Sequence, residues 1–182
     1  MRFRPPSFAK PAWIFAQPFL AFTETLFMID KKAWLPRKHP DHTHHPREEH
    51  DVIFLTLCTH LRAPILATDD VHDTLRKLWV DSSHWTLGRY VIMPDHVHLF
   101  VVRSAKGTAS LKRWTSWWKR EASIRLSLGD GRWQEDFWDT RMRSEEHYAS
   151  RWMYVKNNPV RKGLVTHPDL WRYQGEIYIL RA

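Results

Sequence analysis

A single cysteine, Cys58, stands in the whole chain. No intramolecular disulfide can form, and a reducing cytoplasm is the expected compartment. Cys58 lies in an apolar, strand-like run, where a thiol is expected to be buried and inert rather than nucleophilic. Long apolar runs are missing too. None reaches the roughly 18–20 residues a membrane helix needs. The best stretch, residues 12–29, is interrupted by Gln17, Pro18, Thr23, Glu24 and Thr25. Arg2 and Arg4 precede it, but the interruptions and the missing small-residue cleavage site argue against a signal peptide. Acid is short relative to base: 20 Asp and Glu stand against 28 Lys and Arg, a net charge of +8 with His neutral. A polyanionic partner is expected, nucleic acid first, with a merely basic protein as the plainer alternative. No internal repeat is present.

Aromatic rings are abundant. Eleven Trp and 14% aromatic residues in 182 suit base stacking as well as core filling. Residues 1–49 differ from the rest. They hold Pro5, Pro6, Pro11, Pro18, Pro36, Pro40 and Pro46, and the tract His39-Pro40-Asp41-His42-Thr43-His44-His45. Such proline density excludes long helices and strands, so an extension is expected there, partly disordered, with the His tract a solvated linker. Residues 50–182 form the expected catalytic domain.

Regular patterning begins at Asp51. Val52 to Thr59 reads as a buried strand. Thr68 caps a helix over roughly 69–82, with Val71, Leu75, Leu78 and Trp79 as its apolar stripe. Strands are expected at 85–93 and 96–102, around a Pro94-Asp95 turn. A long helix over roughly 107–128 follows, with Leu111, Trp114, Trp118 and Leu126 on its apolar side. Arg103, Lys106, Lys112, Arg113, Lys119, Arg120 and Arg125 make this region basic against one acid, Glu121. Lys112, Arg113, Trp117, Lys119 and Arg120 are the candidate nucleic-acid contacts, with Lys156 and Arg161 further on. A turn at Gly129-Asp130-Gly131 leads to a short strand at 133–138. Ser144 then caps a final helix that Pro159 and Gly163 end. Strand, helix, strand, strand, helix, strand, helix predicts an α+β sandwich of ferredoxin-like type, an antiparallel sheet with helices mainly on one face.

The chemistry is expected in two segments. His96 and His98 flank Val97 on a strand, so both imidazoles share a face and can chelate one cation. Tyr154 and Asn158 lie four apart and share a face if their segment is helical. Asn158 would complete a ligand set of two neutral nitrogens and an amide oxygen, which leaves the cation's charge open to a phosphate oxygen. Tyr154 is then a candidate nucleophile, giving a phosphotyrosine link and a free 3′-OH without ATP. A zinc hydrolase is disfavoured because the third ligand is an amide; His84 or His147 would have to serve instead.

Met93-Pro94-Asp95-His96-Val97-His98 resembles the His-hydrophobe-His motif of HUH single-strand nucleases. Tyr154 to Val165, with Asn158-Pro159-Val160-Arg161, resembles the tyrosine helix of the REP-associated tyrosine transposases. Ile53 to Thr59 and Phe137-Trp138-Asp139 are similar to that family as well, so the likeness spans about 51–165. Asp95 departs from it, standing where Asn is common. The resemblance implies a ferredoxin-like fold, Mg²⁺ or Mn²⁺ on His96, His98 and Asn158, Tyr154 as nucleophile, and cleavage of single-stranded DNA folded as hairpins by a monomer or homodimer. The competing expectation is a non-catalytic single-strand-binding module of the same fold, which would tolerate changes at Tyr154.

Overall fold

The computed structural model describes residues 51–129 and 132–182. The Pro- and His-rich segment 1–49 and residues 130–131 of the expected 129–131 turn lie outside them. Five strands form one sheet: β1 Ile53–Cys58, β2 Trp85–Met93, β3 His96–Arg103, β4 Trp138–Arg141 and β5 Gln174–Glu176. Their order is β4-β1-β3-β2-β5, and every neighbouring pair is antiparallel. The helices are α1 Asp69–Val80, α2 Leu111–Arg125, α3 Glu145–Lys156 and the short α4 Asn158–Arg161. The order of β1 to β4 and the two crossovers through α1 and α2 make the expected ferredoxin-like α+β sandwich.

Strand alternation divides the core into two layers. Leu55, Leu57, Val97, Leu99 and Val101 point to one side and pack on α1 and α2 through Leu75, Leu78, Trp79, Trp114 and Trp118. Much of the tryptophan content is spent here, as fully buried core. Phe54, Val91, Met93 and Phe100 point to the other side, beneath Tyr148 and Val155 of α3 and the later Trp171 and Leu180. Two helices therefore cover one face, while α3 and the C-terminal segment cover part of the other.

Local chemistry explains the boundaries. Thr68, Ser110 and Ser144 each accept a backbone N–H three residues on, from Val71, Arg113 and His147. α2 starts at Leu111, not near 107, because residues 104–107 spend their bonds on a turn. Ser104 N–H reaches His84 O and Gly107 N–H reaches Ser104 O. A Cβ at Gly107 would collide with the His84 carbonyl, so this turn admits only glycine.

Three further expectations change. The fourth strand is 138–141 rather than 133–138; Trp133 makes only an isolated bridge to Thr59. The Gln134 and Glu135 carbonyls instead accept from Lys119 Nζ at 2.8 and 2.9 Å. The last helix is not continuous: α3 ends at Lys156, and Asn157 separates it from α4. Pro159 has no N–H to return to Val155, so the ladder stops there. β5 had no signal in the apolar pattern. It pairs Gly175 with Tyr90, and a Cβ at Gly175 would sit 2.8 Å from the Tyr90 hydroxyl oxygen.

Val97 is fully buried on the α1/α2 side, turned away from its flanking histidines. Val97→Ala is expected to cost about 1–3 kcal/mol in urea unfolding. A loss below about 0.5 kcal/mol would contradict this placement.

Candidate active site

The β1–β3 register builds the site. Thr56 lies opposite His98 and Cys58 opposite His96, so these four side chains share the face that α3 covers. His96 and His98 are 4% and 6% exposed. Their rings stand nearly perpendicular, at 84°, and the two Nε2 atoms approach to 3.1 Å. Asn158, also buried, closes the group from α4. Its Nδ2 lies 2.9 Å from His98 Nε2 and 3.4 Å from His96 Nε2. The kink at Asn157 does not separate Asn158 from the histidines.

Each imidazole is tied at its far nitrogen. His96 Nδ1 is 2.6 Å from Asp95 Oδ1, and His98 Nδ1 is 2.9 Å from Thr56 Oγ1. A carboxylate can only accept, so His96 donates from Nδ1, which in the neutral imidazole leaves Nε2 bare toward Asn158. Burial pushes the His98 imidazole well below its ordinary range, and His96, Arg62 and Arg151 act in the same direction. It stays neutral, as a ligand must. Burial also resists charge on Asp95. The hydrogen bond and electrostatic attraction of the His96 imidazole, with the Arg62 guanidinium, outweigh that and hold its carboxyl below the usual range.

These residues fit a cation. Two donors at about 2.1 Å from an octahedral ion stand about 3 Å apart, close to the observed Nε2 separation of 3.1 Å. A ligating histidine needs an Nδ1–H held by an acceptor and a bare Nε2; Asp95 offers that acceptor to His96, and the Thr56 hydroxyl can offer it to His98. Asn158 would present Oδ1 after a half-turn of its amide, since its Nδ2 now donates toward the imidazoles. Among the described residues no third histidine joins them. His84 and His147 accept local N–H groups from Thr108 and Arg143. Among the described residues no three His, Cys, Asp or Glu side chains cluster as metal ligands.

Tyr154 is half exposed on α3. Its hydroxyl accepts from Arg161 Nη2 at 2.9 Å, and that guanidinium lies 4.1 Å over the ring. A chain of stacked groups joins it to the histidines. Arg151 sits 5.9 Å from the Tyr154 ring and 5.4 Å over Phe54, and Phe54 stacks on His98 at 5.4 Å. Tyr148 faces elsewhere, buried against Phe100.

The remaining basic candidates are dispersed. α2 packs on the opposite side of the sheet from the histidines. Lys119 is corrected outright: it is 7% exposed and holds two carbonyls, and burial brings its ammonium down to about 8. It braces the 134–135 turn, with two of its three N–H groups committed to those carbonyls. Lys156 pairs with Asp169 at 2.6 Å, Lys112 with Asp136 at 3.4 Å and Arg120 with Glu121 at 3.0 Å. Arg113 and Trp117 line a cavity of about 350 Å³ with His84 and Ser82. Sequence reasoning missed Thr56, Phe54, Arg151 and Arg62. Thr56 becomes visible only once the strand register is known. Cys58 is buried with its thiol pushed up by that burial, as expected of an inert cysteine.

No family model and no curated protein matches the chain. Among solved structures it is similar to a REP-associated tyrosine transposase bound to a REP hairpin. The TM-score is 0.59 and the identity 20%, over 72% of this chain and 81% of that one. The fold is that of a REP-associated tyrosine transposase. A protein from Deinococcus radiodurans R1 is more distant, at TM-score 0.45 and 20% identity over 63% of this chain and 96% of its own. Among the described residues no helix is long and apolar enough to cross a membrane.

His98 links the site to pH. Its folded form resists protonation while the unfolded chain takes a proton near pH 6.5, so stability falls as pH drops below about 6.5. With EDTA present, the wild type is expected to lose up to about 1.4 kcal/mol per pH unit more than His98→Gln in that window. Parallel pH–stability curves for the two proteins would contradict it.

Proposed function

We propose that the protein is a metal-dependent single-stranded DNA endonuclease and strand transferase of transposase type, acting at hairpin or repeat DNA. The observation that carries this reading is the convergence of His96 Nε2, His98 Nε2 and the Asn158 amide on one buried point of a transposase fold. Those three residues would hold Mg²⁺ or Mn²⁺. Bound there, the cation supplies Lewis-acid polarisation of the scissile phosphate.

The chain's own groups do the rest. Thr56 and Asp95 fix the rings that present the ligand atoms. Arg161 holds the Tyr154 hydroxyl and ring in one orientation, and its remaining N–H groups suit a phosphate oxygen. Tyr154 Oη attacks phosphorus and loses its proton to water. The bond to the 3′ oxygen breaks, and that oxygen takes a proton from water and leaves as a 3′-OH. A 5′-phosphotyrosine link results, and attack by another 3′-OH reverses it. Arg113, Trp117 and Arg120, across the sheet, suit nonspecific contacts to a strand that wraps the sheet edge.

A labelled DNA hairpin incubated with Mn²⁺ is expected to give a covalent protein–DNA band. Tyr154→Phe should reduce that band by more than about 10³-fold with binding retained. His96→Ala, His98→Ala and EDTA should each remove it. A band that persists in Tyr154→Phe would move the nucleophile elsewhere. Hairpin binding without any band in the wild type would favour the single-strand-binding module.

A further inference from the structure

The segment Thr59-His60-Leu61-Arg62-Ala63 carries backbone strain beside the site. Leu61 has φ 51° and ψ 22°, and Arg62 has φ 57°. Left-handed backbone is unfavourable for a residue with a side chain, and two in succession are rare. The strain is held by stitches to the Pro94-Asp95 turn. The Thr59 N–H donates to Asp95 O at 3.0 Å, and Leu66 N–H to Pro94 O at 2.8 Å. The Thr59 hydroxyl is fully buried between the carbonyls of Ala63 and Asp95, at 2.9 and 3.0 Å.

The outcome is a guanidinium turned back onto the second turn. Arg62 Nε lies 2.7 Å from Asp95 Oδ2. Its Nη1 donates to Cys58 Sγ at 2.6 Å. Its Nη2 lies 3.3 Å from His96 Nδ1. That nitrogen can donate to Asp95 or accept from Arg62, but not both. The 2.6 Å approach of a carboxylate oxygen decides for donation. Arg62 therefore acts on His96 through Asp95: it occupies Oδ2 and leaves Oδ1 facing the ring.

We propose that Arg62 is the positioning residue of the metal site, locking the Asp95 carboxylate so that His96 keeps its proton on Nδ1 and its Nε2 bare. The proposal rests on the reading of His96 as a ligand. It makes a prediction opposite in sign to simple electrostatics. Removing a positive charge near a cation site should tighten cation binding by charge alone. Removing a positioning residue should weaken it, by about 10–100-fold for this kind of support.

The experiment uses the full chain. Mn²⁺ affinity is measured by electron paramagnetic resonance, and the His96 tautomer is read from imidazole ¹⁵N shifts in the metal-free protein. Arg62→Ala is expected to bind Mn²⁺ about 10–100-fold more weakly and to show His96 as a mixture of tautomers. Arg62→Lys keeps the charge but not the fork, and should fall between the two; it serves alone if Arg62→Ala does not fold. Affinity equal to or above wild type with a single Nδ1–H tautomer would overturn the proposal. If wild type binds no Mn²⁺, the proposed function fails, while the tautomer comparison still decides the role of Arg62.

Discussion

Antiparallel pairing of β1 with β3 is the constraint on which the rest depends. Side chains alternate along both strands, so one register decides which residues meet. Here Leu55, Leu57, Val97 and Leu99 fall on the α1/α2 side, and Thr56, His96 and His98 on the α3 side. A slip of one residue would put the histidines against Trp79 and Trp118 and turn Val97 toward Asn158. The large apolar layer under α1 and α2 therefore holds the polar site in place without touching it. From β1 the site takes Thr56, whose hydroxyl meets His98, Phe54, which stacks on it, and Cys58, which accepts from Arg62.

The second requirement is delivery of Asn158 and Tyr154 to that face. α3 is anchored by Tyr148 and Val155 in the second core layer. Its end is set by Pro159, which stops the ladder and lets α4 begin with Asn158 at the histidines. Tyr154 lies before the break and stays half exposed on Arg161. One proline thus separates a buried ligand candidate from an accessible hydroxyl four residues away.

Much of this was legible in the chain. The His96-Val97-His98 alternation, the Thr68 and Ser144 caps and the apolar stripe of α1 all obey local rules and stand as read. What was hidden depends on distant partners. Thr56 matters only through the register that puts it opposite His98. Arg62 matters through a strained turn that no composition signals. Lys119 looked like one more cation on a basic helix, until the carbonyls of Gln134 and Glu135 gave its ammonium a buried seat. β5 is two polar residues around a glycine, and its pairing needs the room that Gly175 leaves for Tyr90. The helix break was visible as Pro159, yet its place relative to Asn158 was not.

The central claim is that one divalent cation sits between His96, His98 and Asn158. Anomalous diffraction from crystals of the full chain grown with Mn²⁺ tests it most directly. The account predicts one strong manganese peak within bonding distance, about 2.0–2.3 Å, of His96 Nε2, His98 Nε2 and Asn158 Oδ1, with the amide turned over from its ion-free orientation. An ordered site without a peak at saturating Mn²⁺, its Asn158 amide still donating to both imidazoles, would contradict it.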